Sequence, residues 1–239
     1  MATARIATII GVGPGLGMSM ARRFGREGFR VALVSRSDAR HGAYLADLAA
    51  HGVDATAHAA DVTDTERSTA VLDEIKGTGD VEFVYYGPGP TTQRIVPITD
   101  IDVPTAQSAF DWVWPAVHVA GAVLPDMLKR GTGGLIFAGG LSSVRPMPML
   151  GQLALAAAAL RNYALTLNAA LTDRGVYAGT LTIGGLVERG DIHAMVTTDP
   201  EKYGVADGHT LNPDQLADAA WTMYRTRDHA EQVFDVLGK

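Results

Sequence analysis

The chain has no cysteine, which excludes a disulfide framework, a thiolate nucleophile and a cysteine-based metal site, and leads us to expect a reducing, cytoplasmic setting. It has no run of Lys or Arg and a formal net charge of −6, which argues against a nucleic-acid partner. No apolar stretch is long enough to span a bilayer, because Gln152 and Arg161 interrupt the richest one, so no membrane association is expected. The first residues run directly into the β-branched segment Ile6 to Ile10, so no signal peptide is expected either. His-Glu-x-x-His, Gly-x-Ser-x-Gly and a P-loop lysine are all absent, and the seven histidines are scattered without metal-ligand spacing. One absence is local: no tyrosine lies between Tyr86 and Tyr163, and no lysine between Lys129 and Lys202. That stretch therefore offers neither a phenol nor an ammonium for proton transfer.

What is present is the material of a folded α/β protein. With 239 residues, 47% hydrophobic and 19% charged, and with no linker-like stretch, the chain is expected to form one domain over 1–239. Short β-branched runs alternate with longer segments of helical period, the pattern of a parallel sheet covered on both faces. Strands are predicted at 5–10, 30–35, 54–60, 82–85, 134–138, 176–183 and 232–236, which makes a seven-stranded sheet. Helices are predicted at 15–26, 38–51, 63–76, 104–130, 150–174 and 213–226. The polar segment 188–212, with Gly190, Pro200, Gly204 and Gly208, reads as a mobile loop with room for one short helix.

The first predicted strand ends in Ile10-Gly11-Val12-Gly13-Pro14-Gly15-Leu16-Gly17, which opens a helix. Glycines there allow a tight turn, a close approach of backbone to a pyrophosphate, and close packing of helix on sheet, while the helix N-terminus favours an anion. Following a strand and opening a helix, the run reads as a dinucleotide-binding turn. An empty turn without a ligand is the plain alternative.

The spacing Gly11-x-x-x-Gly15-x-Gly17 resembles the fingerprint of the short-chain dehydrogenase/reductase family, with Ile10 where that family usually has Thr. Further resemblances follow in order: Asp61-Val62, Pro125-Asp126-Met127-Leu128, Gly133-Gly134-Leu135-Ile136-Phe137, Leu181-Thr182-Ile183-Gly184-Gly185, and the helix from Pro213 to Ala219. Together they extend over about residues 4–238 and imply a Rossmann-type, doubly wound three-layer α/β sandwich. The resemblance implies a cofactor site made by Gly11, Gly13, Gly15, Leu16 and Gly17, by Ser35, Arg36 and Ser37 after the second strand, by Asp61 and Val62 beside the adenine, and by Gly87. Because Arg36 stands where an acid would bind the ribose hydroxyls of NAD, NADP(H) is the expected cofactor.

The family's catalytic Asn, Ser, Tyr and Lys align with Trp112, Gly140, Leu153 and Ala157, none of which has a titratable side chain. Its Asn-Asn-Ala-Gly motif is replaced by Tyr85-Tyr86-Gly87-Pro88, and a usual carboxamide-binding Thr aligns with Arg189. Weak substitutes are Ser142, with Ser143 beside it, and Tyr86, although Tyr85 and Tyr86 suit an aromatic pocket lining better. His118 lies six residues past Trp112, about 240° around a helix, and reads as a packing or interface histidine. Glu188, Arg189 and His193 fall in the loop over the expected substrate mouth, as solvated charges or as substrate contacts. The apolar helix from Leu150 to Arg174 and the preceding one, with Trp112, Trp114, Val117 and Val119, fit the pairing seen in relatives, so a homodimer or homotetramer acting on a small molecule is expected. Two functions fit: an NADP(H)-dependent oxidoreductase with an unconventional site, or a non-catalytic relative that serves as a ligand-binding sensor or partner subunit.

Overall fold

The computed structural model describes residues 3–89, 95–203 and 205–238, so Gly204 lies outside the described residues. The first half alternates strand and helix: β1 (Arg5–Ile10), α1 (Leu16–Arg26), β2 (Arg30–Ser35), α2 (His41–Ala50), β3 (Ala55–Ala59), α3 (Thr65–Lys76) and β4 (Asp80–Tyr86). The second half continues with α4 (Val103–Ser108), α5 (Trp114–Arg130), β5 (Gly133–Gly140), α6 (Gly151–Leu171) and β6 (Val176–Gly184). It ends with β7 (Leu186–Val187), α7 (Asp191–Thr198), α8 (Pro200–Tyr203), β8 (Thr210–Leu211), α9 (Pro213–Thr226) and β9 (Glu231–Asp235).

Seven strands form one sheet in the order β3-β2-β1-β4-β5-β6-β9, and every neighbouring pair is parallel. This is the expected Rossmann-like α/β fold. Alternation along each strand divides the core: Ile6 and Ile10 face the layer of α3, α5 and α6, while Ala7 and Ile9 face that of α1, α2 and α9. On the second face Phe24 stacks on Phe83 with ring centroids 3.7 Å apart and meets Trp221 edge-on at 5.2 Å, locking α1 and α9 to β4. The chain runs from β1 outward to β3 and returns to β4 on the other side of β1. The crevice at that reversal opens at the carboxyl ends of β1 and β4, where open sheets of this kind bind ligands.

Three expectations need correction. The single helix predicted at 104–130 is broken into α4, a 3₁₀ turn at Ala109–Trp112, and α5. Pro115, in the first turn of α5, has no N–H to bond back along a longer helix and disfavours helical geometry in the residue before it. The segment 188–212 carries more structure than one short helix, namely α7, α8 and β8, and β8 forms a separate two-stranded parallel ladder with β7. The helix predicted to reach residue 174 ends at Leu171 and continues as a 3₁₀ turn, Thr172–Arg174.

Candidate functional site

The glycines after β1 divide the work of the turn. Gly11 has φ +80°, and its N–H and that of Val12 both donate to the Val34 carbonyl at 2.9 and 3.1 Å, pinning the turn to β2. A Cβ at Gly11 would lie 2.6 Å from the Pro88 nitrogen, and one at Gly17 would lie 2.8 Å from Val12 Cα. At Gly15 it would come within 3.0 Å of the Glu188 carbonyl oxygen, so the chain after β7 lies directly on the turn. A Cβ at Gly13 would meet nothing within 4 Å. Three glycines therefore serve close packing, and Gly13 faces open space. Leu16 is buried. The first turn of α1 has neither a side-chain cap nor an acidic residue, which leaves its positive end available to an anion.

A cleft of about 550 Å³ opens beside Gly13. Of the residues named from sequence, Gly11, Gly13, Ser35, Arg36, Ser37, Asp61, Val62, Gly87 and Trp112 line it. Gly15, Leu16 and Gly17 are not among the lining residues. At the β2 end Ser35 Oγ donates to the Ser37 carbonyl at 3.0 Å and lies 2.8 Å from His41 Nε2. Burial holds the His41 imidazole below its ordinary value of 6.5, favouring the neutral ring beside Ser35. The Asp61 carboxyl is held low chiefly by the Thr63 N–H at 3.0 Å; burial opposes this, while the Thr63 hydroxyl at 2.8 Å and the nearby charge of Arg36 add to it. Sequence reasoning missed Arg40, Tyr44, Thr63, Asp111 and Asp191, which also line the cleft. Arg40 and Tyr44 sit four residues apart at the start of α2, a helical spacing that offered a signal; Asp191 offered none.

The reading of Tyr85 and Tyr86 as pocket lining or proton donors does not survive. Both are core residues on opposite faces of the sheet, 3% and 0% exposed, and burial pushes both phenols well above their ordinary range. Tyr86 donates to the Trp112 carbonyl at 2.7 Å, so its hydroxyl is committed to holding the 3₁₀ turn that carries Asp111 and Trp112 into the cleft. The Trp112 indole N–H is buried with no hydrogen-bond partner.

Gly140 ends β5 in extended backbone, φ −98° and ψ 154°, and a Cβ there would meet only Ser142 Oγ, at 3.6 Å. Ser142 thus brings a hydroxyl close to the position where a Gly140 side chain would begin. Ser143 Oγ is buried without a partner. Leu153 is half-buried and Ala157 is buried, 3% exposed, on one stripe of α6. One turn further along that stripe Arg161 pairs with Glu231 at 2.5 and 2.7 Å, and Thr182 Oγ1 donates to the same carboxylate at 2.6 Å. His118 Nε2 lies 3.2 Å from Thr69 Oγ1 of α3.

Arg189 has φ +64°, an uncommon left-handed conformation for a residue with a side chain. Its guanidinium turns away from the cleft to Asp214 at 2.8 Å and Ser19 Oγ at 3.1 Å, and Ser19 donates to Asp214 at 2.7 Å. Burial alone would raise the Asp214 carboxyl, but the hydrogen bonds from Ser19 and Arg189 outweigh it and hold the group low. Glu188 accepts from Thr210 Oγ1 at 3.1 Å, across the small ladder. Arg40 Nη1 reaches Asp191 at 2.9 Å, joining α2 to α7 over the cleft. Among the described residues no helix is long and apolar enough to cross a membrane, and no group of three His, Cys, Asp or Glu is placed to hold a metal.

Comparison with known proteins agrees with this geometry. Among curated proteins, a 1-deoxy-11-beta-hydroxypentalenate dehydrogenase from Streptomyces avermitilis is 26% identical over 226 residues, covering 90% of this chain and 79% of the relative. A dehydrogenase/reductase SDR family protein 7-like from Drosophila melanogaster is 24% identical, covering 90% and 68%. Among solved structures, L-sorbose reductase from Gluconobacter frateurii, complexed with NADPH and L-sorbose, superposes with a TM-score of 0.85 at 20% identity over 98% of this chain and 96% of that one. A 3-oxoacyl (acyl-carrier-protein) reductase from Agrobacterium tumefaciens with NADP bound gives 0.84 at 19% identity, covering 100% and 95%. Residues 5–193 match the short chain dehydrogenase family itself, and the chain belongs to that family.

Proposed function

We propose that the cleft binds NADP(H) in preference to NAD(H), and that the protein is an oxidoreductase for a small molecule whose site is not built for ordinary carbonyl reduction. The observation that carries the cofactor reading is the end of β2, where Ser35, Arg36 and Ser37 line the cleft and no acid stands in place of Arg36. A guanidinium there pairs with a 2′-phosphate that a carboxylate would repel. Open space at Gly13 suits the pyrophosphate, with Asp61 and Val62 beside the adenine and Gly87 also lining the cleft. When bound, the nicotinamide supplies or accepts a hydride.

The chain's own contribution to proton transfer is the weak point. By the resemblance, Trp112, Gly140, Leu153 and Ala157 stand at the four family positions, and the phenols of Tyr85 and Tyr86 are buried. Loss of a positioned general acid costs about 10²- to 10⁴-fold and loss of an oxyanion donor roughly 10²- to 10³-fold. An acceptor that takes hydride without enzymic acid, such as an activated double bond or an iminium, fits this site better than a ketone. Among the described residues, Ser142 offers a hydroxyl for the Gly140 position, supported by its 3.6 Å approach to the Gly140 Cβ position. The same absence of acid favours a second reading, in which the protein binds the dinucleotide or another ligand without turnover, as a sensor or partner subunit.

A homodimer or homotetramer belongs to the same proposal, supported by Trp114 and Val117 of α5 and Leu155 of α6, which are 60%, 40% and 41% exposed. A cytoplasmic setting is supported by the absence of cysteine. Titration with NADPH and NADH, followed by nicotinamide fluorescence and calorimetry, tests the cofactor. Micromolar NADPH binding with much weaker NADH supports the reading; binding of neither ends it. Saturable oxidation of NADPH by an acceptor then separates the oxidoreductase from the non-catalytic protein. Restoring Gly140→Ser, Leu153→Tyr and Ala157→Lys together is expected to create carbonyl reduction if the rest of the pocket is complete.

A further inference from the structure

The segment that follows β7 is held at two points of different kind. Its root is fixed. Glu188 and Gly190 lie on the Gly15 turn at 3.0 Å from the missing Cβ, and Arg189 joins Ser19 and Asp214 in a three-membered network behind the turn. Ser19 is 1% exposed, and neither Arg189 nor Asp214 lines the cleft, so an anion in the cleft does not meet this network.

The second point is different. Asp191, the first residue of α7, pairs with Arg40, the residue just before α2, across 151 residues of sequence. Both side chains are 55% exposed, and both line the cleft that Ser35, Arg36 and Ser37 also line. An ion pair this exposed contributes little on its own. Little else fastens α7: Val196 is its one buried residue, while Ile192 and Met195 are 51% and 43% exposed.

We propose that Asp191 is a specificity-determining residue, because it holds Arg40 across the cleft mouth and must give it up when a phosphate arrives at Ser35–Ser37. This rests on the NADP(H) reading above and adds to it. A phosphate dianion offers a guanidinium stronger, charge-assisted bonds than an exposed carboxylate does, and it repels the Asp191 carboxylate nearby. A nucleotide with a 2′-phosphate therefore takes Arg40 and frees α7 from α2, whereas one lacking that phosphate leaves the pair intact. The charge at one end of the cofactor thereby sets the position of the helix that follows the glycine-packed root.

The test measures NADPH and NADH affinity for the whole protein and for Asp191→Asn, Arg40→Ala and the double variant, with amide exchange of residues 191–198 in each state. Arg40→Ala is expected to weaken NADPH about tenfold while moving NADH less than about twofold, the size of one lost charge-assisted bond at a surface. Asp191→Asn is expected to tighten NADPH about three- to tenfold, with no such gain when Arg40 is already Ala. NADPH, but not NADH, is expected to speed exchange in α7 of the unaltered protein, and Asp191→Asn to reproduce that speed without nucleotide. If the unaltered protein prefers NADPH but neither variant changes that preference, the inference falls and the cofactor reading stands. If the unaltered protein binds neither nucleotide, both fall.

Discussion

Replacing Gly11 and Gly13 separately by alanine tests the division of labour in the turn, because the two positions differ in what a methyl group would meet. At Gly11 the backbone has φ +80°, and the new Cβ would lie 2.6 Å from the Pro88 nitrogen, 2.8 Å from Pro88 Cδ and 2.9 Å from the Gly87 carbonyl carbon. The left-handed conformation costs an alanine roughly 1–2 kcal/mol, and forcing an extra carbon against fixed backbone adds about 1–3 kcal/mol. Gly11→Ala is therefore expected to destabilise the protein by about 2–5 kcal/mol, a fall of roughly 4–20 °C in Tm for a chain of this size. At Gly13 the methyl meets nothing within 4 Å, so stability should change by less than about 1 kcal/mol. The same methyl occupies the space assigned to the pyrophosphate, so Gly13→Ala should weaken NADPH at least about tenfold, or 1.4 kcal/mol. Thermal and urea unfolding give the first pair of numbers, and fluorescence titration gives the second. A Gly11→Ala protein with unaltered Tm refutes the packing argument, and a Gly13→Ala protein that binds NADPH normally refutes the assignment of the cleft.

Other outcomes follow from single contacts. Tyr86→Phe should cost about 0.5–1.5 kcal/mol in unfolding experiments, the net value of its bond to the Trp112 carbonyl, and should leave the pH profile of any turnover unmoved. A shifted profile would restore the phenol as a catalytic group. Glu231 is held below its ordinary value of 4.5, first by Arg161 and then, against burial, by Thr182, so its contribution to stability is present above that value and lost as pH falls through the lowered one. Glu231→Gln should therefore flatten the acid limb of stability against pH, which calorimetry from pH 3 to 6 checks; an unchanged limb would show that the pair adds nothing. On the proposed homo-oligomer, Trp114→Asp should give a smaller species than the unaltered protein in sedimentation while leaving the circular dichroism unchanged, and an unaltered sedimentation profile would count against an interface at Trp114.

Much of the fold was legible because hydrophobic period is a local property. Ile6 to Ile10, Arg30 to Ser35 and Val176 to Ile183 read as strands from their own residues, and each is a strand of the sheet. The break before α5 was also written locally, in Pro115, yet the apolar run from Val113 to Val119 masked it. Gly11, Gly13 and Arg36, which backbone freedom or charge singles out in the sequence, all line the cleft. Tyr86 misled because an aromatic residue at a strand end reads alike whether its hydroxyl points to a cleft or to a carbonyl 26 residues away.

By itself the sequence determined the alternation of strands and helices, the glycine turn after β1, and the absence of any Tyr between Tyr86 and Tyr163 and of any Lys between Lys129 and Lys202. Each of these follows from residue type and spacing over a few residues. Only the tertiary structure decided which glycines of the turn pack against neighbours and that Gly13 has open space beside it, that both tyrosines of β4 are core, and that Arg189 turns backward to Asp214. It alone brought Arg40 to Asp191. Contacts between residues so far apart arise when the sheet order places two helix starts side by side, and no local pattern encodes that meeting.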